Sequence, residues 1–150
     1  MSMEICVFSD TQLNSISDWQ LAIDTKAFPL RLSYDKPLAQ VRGFLPARLG
    51  EKLTGFECRH VVPNEITSTY PEINFGHAWK YVIAFSWGGD FDAMQAALMA
   101  AAAYADATAG MVFDEDAGEL LEPFQAVQAV RDMIRNAPKI EAMIRDFKAT

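Results

Sequence analysis

Residues 78–110 read AWKYVIAFSWGGDFDAMQAALMAAAAYADATAG. Bulky and small side chains alternate over the first ten residues, and two glycines, an aspartate and a long alanine-rich stretch follow. Such alternation is typical of a β-strand, and it places five large side chains on one face: Trp79, Tyr81, Ile83, Phe85 and Trp87. A face of aromatic rings needs cover, which an alanine-rich helix can supply because its small side chains allow close approach. The stretch therefore predicts a strand whose aromatic face packs beneath the next helix.

The two glycines between this strand and helix, Gly88 and Gly89, lie where phosphate-binding loops are also found. Such loops carry several glycines at fixed spacing, together with a Lys or a Ser/Thr that reaches the anion. Neither GxGxxG nor GxxxxGK[ST] occurs here, and Asp90 and Asp92 stand where an anion would bind. Because Asp90 is a favourable helix N-cap, we expect a tight turn and not a phosphate site.

The rest of the chain is interpreted from its periodicity and its turn residues. We predict, in chain order, a strand at residues 4–9, a helix at 16–25, strands between 28 and 62, a surface loop at 63–77, a hairpin at 111–121 and two C-terminal helices separated near residues 136–138. Strands grouped in the middle of a chain favour an α+β fold. We expect one globular domain over residues 1–150, with a largely antiparallel sheet and helices packed on one face, in a ferredoxin-like or related split βαβ arrangement.

The charge distribution is uneven. The net charge is -7, and residues 81–130 contain eight carboxylates but no Lys or Arg. A negative region of this kind repels phosphate backbones and anionic lipids and attracts basic proteins. We therefore expect no nucleic acid and no membrane as partner, and favour another protein, possibly basic, while the acidity also serves solubility.

The cysteines and the N-terminus bear on the compartment. Cys6 and Cys58 are too few to suggest a disulfide framework. The first ten residues lack the basic start and apolar core of a signal peptide. The most apolar run, residues 96–105, is much shorter than the roughly 20 residues of a membrane span. We expect a cytoplasmic protein.

The residues able to carry chemistry are few. Cys58 and His60 share one side of a predicted strand, and together with Cys6 and His77 they have the right atoms for a zinc site. Cys58 beside a histidine is also a candidate nucleophile. The chain has no CxxC or HxxxH spacing, and free cysteines are commonly buried, so ordinary packing is favoured. We expect no metal, no cofactor and no catalytic residue.

Two stretches resemble known proteins: GFLPARLGEKLTGFE at residues 43–57 and AAAYADATAGMVFDEDAGELL at residues 101–121. They are similar to small bacterial proteins of uncharacterised families, some of which are grouped with polymorphic-toxin immunity proteins. The resemblance implies a protein that binds a partner stoichiometrically and blocks it. It transfers no catalytic residue to this chain.

Three hypotheses about function follow. The preferred one is a non-enzymatic, acidic protein-binding module of immunity type that presents four carboxylates to a basic partner: Asp114, Glu115, Asp116 and Glu119. The alternative is a small-molecule binder or enzyme with a cleft between the aromatic sheet and the 63–77 loop, lined by Cys58, His60, Tyr70 and His77. The third is a domain that forms homo-oligomers through a sheet edge or its C-terminal helix.

Overall fold

Seven strands and four α-helices make up residues 3–149, the part of the chain that this computed structural model describes. The strands are β1 (Met3–Ser9), β2 (Leu30–Leu32), β3 (Arg42–Leu49), β4 (Lys52–Val61), β5 (Tyr81–Trp87), β6 (Met111–Asp114) and β7 (Glu119–Leu121). The helices are α1 (Ile16–Thr25), α2 (Pro63–Thr67), α3 (Phe91–Thr108) and α4 (Pro123–Ala149). None of the helices within residues 3–149 combines the length and the apolar character that a membrane crossing requires.

The strands form one sheet in the order β2-β3-β4-β5-β1-β6-β7, and each neighbouring pair is antiparallel. Two strands that flank a third therefore run in the same direction. β5 and β6 are such a pair, with α3 in their connection and β1 between them, which is a split βαβ unit. β1 and β4 are also parallel with β5 between them, but their connection contains β2 and β3 as well as α1. The predicted α+β fold with a split βαβ arrangement is confirmed.

Side-chain caps set the starts of α1 and α3. The N–H of Asp18 donates to Ser15 Oγ at 3.0 Å, and the N–H of Asp92 donates to Asp90 Oδ1 at 3.1 Å. Each bond satisfies a backbone donor that the first helical turn leaves free. Because the Asp90 carboxylate already occupies the start of α3, the preceding glycines act as a turn.

The main core lies between one face of the sheet and α3. Most of α3 is buried, including a nearly continuous set of alanines at residues 96, 97, 100–103 and 105. The indole N–H of Trp19 donates to the carbonyl of Ala100 at 3.0 Å, and its ring lies against Phe85 and Tyr104. α3 is buried on more than the single stripe that the sequence predicts, because α1 and α4 cover the sides that face away from the sheet.

The aromatic face of β5 is confirmed in part. Ile83, Phe85 and Trp87 are buried with α3 as predicted, and Tyr81 is exposed. The prediction for Trp79 is wrong: it precedes β5 and packs against the opposite face of the sheet. Asp10 accepts the backbone N–H of Lys80 at 3.2 Å, so the chain is held by a side chain at that point and does not yet pair as a strand.

Residues 63–80 cover part of the second face of the sheet. The prediction of a surface loop is wrong for this segment, because it contains α2 and buries Ile66 and Phe75. The Phe75 ring centroid lies 4.8 Å from that of Phe8 and 5.1 Å from that of Phe113. The segment forms a second, smaller core over β1, β5 and β6.

The predicted break near residues 136–138 does not occur, and α4 is continuous through Pro138. A proline inside a helix removes one backbone hydrogen bond and crowds the preceding turn. Pro138 lies on the exposed side of α4, where water can bond the carbonyl that loses its partner. The helix therefore tolerates this residue.

α3 ends at a residue in the left-handed conformation. The left-handed residue is Ala109, with φ of 54°, and not the glycine that follows it. Gly110 is required for another reason: a Cβ at this position would lie 2.3 Å from the carbonyl oxygen of Phe8. The absence of a side chain therefore lets the chain pass directly beside β1.

We expect Gly110→Ala to destabilise the protein by about 1–3 kcal/mol, because the added methyl group must displace the backbone of β1. Gly89→Ala is the matched control, since a Cβ there meets nothing within 4 Å. Its free energy of unfolding should stay within about 0.5 kcal/mol of wild type. Urea denaturation measures both values, and equal stabilities of the two variants would contradict this account.

Candidate partner-binding surface

The second face of the sheet is only partly covered. Side chains alternate along β3, so Leu45 points into the main core while Phe44 points to the opposite side. There the side chains of Phe44 and Leu53 are 57% and 76% exposed. We call the region of Phe44, Pro46, Leu53 and Gly55 the open face. It is an apolar part of the sheet that faces solvent.

A groove of about 590 Å³ runs beside the open face. Its walls come from β3 and β4 on one side and from the turn between β5 and α3 on the other, and they include Leu53, Gly55, Glu57, Gly88 and Asp90. The Phe44 ring lies directly over Gly55, where a Cβ would be 2.3 Å from a ring atom. The missing side chain at Gly55 thus provides the place where the aromatic ring rests.

A row of residues crosses four strands from the open face toward the centre of the sheet. Phe44 pairs with Glu57, Glu57 with Ser86, and Ser86 with Glu4. Paired residues in adjacent strands share a face, and neighbouring strands lie about 4.8 Å apart, so the row spans roughly 14 Å. We call it the cross-strand row; an exposed aromatic ring stands at one end and a carboxylate at the other.

Four carboxylates gather where the row ends. We call Glu4, Glu65, Glu115 and Asp116 the carboxylate cluster. Arg59 forms ion pairs with Glu4 at 3.8 Å and with Glu65 at 3.4 Å. Burial, followed by repulsion from Glu115, raises the pKa of Glu4 despite the attraction of Arg59. The cluster therefore holds more negative charge than its nearby cation balances.

The four carboxylates predicted from the sequence have different surroundings. Asp114 Oδ1 accepts the backbone N–H groups of Asp116 and Ala117 at 3.0 and 3.2 Å, so it shapes the hairpin turn. Glu115 accepts hydrogen bonds from the Tyr70 hydroxyl at 2.8 Å and the Cys6 thiol at 3.4 Å. The remaining two, Asp116 and Glu119, are exposed.

Three other carboxylates of the segment without Lys or Arg lie apart from the carboxylate cluster. Asp106 pairs with Lys26 at 2.7 Å, and Asp92 lies 3.6 Å from Lys52. Asp90 caps α3 and lines the groove. The fold therefore separates the carboxylates of residues 81–130, and cations balance two of them.

The residues of the predicted small-molecule cleft are not brought together. Cys58 is buried in the main core, whereas Tyr70 belongs to the second core on the opposite face. His60 shares the side of Cys58, as predicted, and its Nε2–H donates to the Leu38 carbonyl at 2.9 Å. His77 is exposed, pairs with Asp10 at 2.8 Å and stacks on Trp79. The segment that was expected to border a cleft instead packs onto the sheet.

The environment of the thiols does not favour a nucleophile. Burial raises the pKa of Cys58, and burial together with the charge of Glu115 raises the pKa of Cys6. Reactive cysteines need a lowered pKa, so both thiols here are of the inert, packed kind. Burial and the hydrogen bond to Glu115 likewise raise the pKa of Tyr70 to about 12, which keeps its hydroxyl a donor.

Among the described residues, Glu4, Cys6 and Glu115 each place one ligand atom within 4.8 Å of the other two, as a metal site would require. The same atoms have protein partners: Arg59 lies against Glu4, and Tyr70 and Cys6 donate to Glu115. The zinc set considered from the sequence is not assembled, because Cys6 and Cys58 lie on opposite faces of the sheet.

Sequence reasoning missed Phe44, Leu53, Glu57 and Glu4 as surface residues. One signal was present for Phe44. It lies at an even number of positions from Arg42 and Arg48 in the same strand, so the three side chains share one face, and two charged residues indicate that this face is turned to solvent. Comparison of the chain with protein-family models, curated proteins and solved structures found no match. The surface therefore has to be interpreted from its own geometry and charge.

We expect Glu4→Gln to raise the melting temperature at pH 7. A carboxyl group with a raised pKa stabilises the fold while protonated, below its ordinary pKa of 4.5, and this stabilisation is lost as the pH rises through the raised pKa. The increase in melting temperature of the variant over wild type should therefore be present at pH 7 and disappear near pH 3.5. Differential scanning calorimetry at both pH values measures it.

Glu72→Gln, an exposed carboxylate outside the cluster, is the control. Its melting temperature should match that of wild type at both pH values. A Glu4→Gln variant that is less stable than wild type at pH 7 would mean that the ion pair with Arg59 outweighs burial and repulsion.

Proposed function

We propose that this protein is a non-enzymatic binding module of immunity type that captures and blocks a basic partner protein in the bacterial cytoplasm. One observation carries the proposal: the open face presents an exposed aromatic ring and an exposed leucine beside the carboxylates of the cross-strand row. This supports a protein-docking surface in which apolar contact and charge act together.

The apolar part supplies binding energy. Protein interfaces are enriched in aromatic residues at their centres and surround them with polar rims. A few such anchors commonly carry most of the affinity. Phe44 suits this role because it lies on Gly55 with more than half of its surface exposed, so its position is set before a partner arrives.

The carboxylates supply orientation and selectivity. Glu57 is the cross-strand neighbour of Phe44, and the carboxylate cluster lies at the far end of the same row. Charges at an interface mainly accelerate encounter and select partners of opposite charge. The raised pKa of Glu4 means that the fold keeps this charge at a cost in stability, a pattern often found where a residue serves function.

The residues that we propose to contact the partner differ from the four carboxylates expected from the sequence. We assign the docking role to Phe44, Leu53 and Glu57, with Asp116 as an exposed charge at the carboxylate cluster. Glu119 is not assigned, because it pairs with Asp114, whose other cross-strand partner Ile5 lies in the main core on the opposite face. Asp114 and Glu115 act on this surface through the turn and the contacts that they hold. The small-molecule cleft is not proposed, because its residues lie on different faces of the sheet.

The test uses the basic proteins encoded by the genes that flank the gene of this chain. We expect one of them to bind in a one-to-one complex, with affinity that falls as NaCl is added, and to lose toxicity when both are co-expressed. Isothermal titration calorimetry and growth assays measure these effects. If no flanking basic protein binds, the proposal is overturned.

Variants then locate the surface. Phe44→Ala should weaken the complex about 30-fold or more, as expected for an anchor worth about 2 kcal/mol. Phe124→Ala is the matched control, since Phe124 is 66% exposed on α4, away from the open face. Equal affinities of the two variants, with both confirmed as folded by circular dichroism, would contradict the assignment.

A further inference from the structure

In the part of the chain that the structure describes, one half of β4 has a strand neighbour on one side only. β3 pairs with β4 from Lys52 to Arg59, whereas the pairing of β5 with β4 begins at Glu57. Beyond that point the chain leaves β5 through Gly88 and Gly89 and enters α3. Among residues 3–149, no strand pairs with the second side of Lys52–Phe56, and we call this free side the β4 edge. Free strand edges are templates for the addition of another strand.

The β4 edge borders the groove beside the open face. Leu53, Thr54, Gly55 and Phe56 all line this groove, and Gly88 lies on its other wall. The hydroxyl of Thr54 is buried and has no hydrogen-bond partner among the described residues. Exposed Leu53 and Phe44 can contact the alternate side chains of an added strand, which is how strand addition achieves selectivity.

The charge of the groove selects its occupant. Among the described residues that line it, Glu57 and Asp90 are charged and no Lys or Arg is present. Lys52, at the end of the edge, is held by Asp92 at 3.6 Å and Glu141 at 3.5 Å. A second copy of this chain, with net charge -7, would bring like charges together. The groove is complementary to an extended segment that carries basic residues.

We propose that the partner contributes an extended, basic and apolar segment that pairs with the β4 edge as an additional strand. This inference rests on the proposed function and deepens it, because it specifies the form in which the partner binds. The segment extends β4 along Lys52–Phe56, places apolar side chains on Leu53 and Phe44, and places a cationic side chain beside Glu57.

The test uses a synthetic peptide, acetyl-KTVTV-amide, whose Lys and two Val side chains share one face when it is extended, and amide hydrogen exchange of the full chain followed by NMR. We expect exchange of the Lys52–Phe56 amides that face the groove to slow by about tenfold or more at saturation. The same peptide with every backbone nitrogen methylated cannot donate to the ladder and should give no protection. Acetyl-ETVTV-amide should not bind, and Glu57→Gln should weaken binding of the basic peptide while Glu72→Gln should not.

Several outcomes would overturn the inference. One is that the basic peptide gives no protection, and another is that the N-methylated or the acidic peptide binds as well as the basic one. Protection that appears without peptide as the protein concentration rises would also overturn it, because it would identify a second copy of the chain as the occupant. Affinity and hydrogen exchange measured on the complex with the partner distinguish the docking surface from strand addition. Loss of affinity in Phe44→Ala without protection at Lys52–Phe56 would retain the docking surface and refute strand addition.

Discussion

The close contact between α3 and the central strands constrains the positions of α1 and α4. Alanines over residues 96–105 let the backbone of α3 approach the sheet, and the indole N–H of Trp19 bonds the α3 backbone at Ala100. α1 and α4 then pack beside α3 on the same face. Dense packing of this kind leaves little freedom, because small changes in side-chain volume are felt throughout a core.

This arrangement leaves the second face of the sheet unevenly covered. Residues 63–80 supply a small aromatic core over β1, β5 and β6, while β3 and the first half of β4 keep apolar side chains exposed. The turn at Gly88 and Gly89 links both features. It takes the chain into α3, and it ends β5 before the strand can cover the β4 edge. The docking surface and the free edge are thus consequences of the same crossover.

Electrostatics adds to this picture because the fold does not fully balance the carboxylate cluster at the end of the cross-strand row. Arg59 is shared between Glu4 and Glu65, and Tyr70 and Cys6 donate to Glu115 without removing its charge. Elsewhere, as at Lys26 and Asp106, acidic residues have cations of their own. The unbalanced charge lies on the same face as the most exposed apolar part of the sheet, at the other end of the cross-strand row, where it affects which partners can approach.

Local patterns along the chain were sufficient to predict α1, α3, β1 and the 111–121 hairpin, because caps, periodicity and turn residues act over a few positions. The same patterns failed at Trp79, at α2 and at Pro138. In each case a contact from elsewhere, or exposure on a particular side, outweighed the local preference. The predicted small-molecule cleft is not assembled for a related reason, since Cys58 and Tyr70 lie in cores on opposite faces of a sheet whose pairing was not known.

The amino-acid sequence by itself determined the α+β class, the alanine-lined helix and the acidic character of the chain. Only the tertiary structure decided that Phe44, Glu57, Ser86 and Glu4 form one row, that Asp114 shapes a turn, and that half of β4 has no second strand neighbour within residues 3–149. Alternation within a strand reports which residues share a face. It carries no information on which strand lies alongside or in what register, because those depend on contacts between residues far apart in the chain.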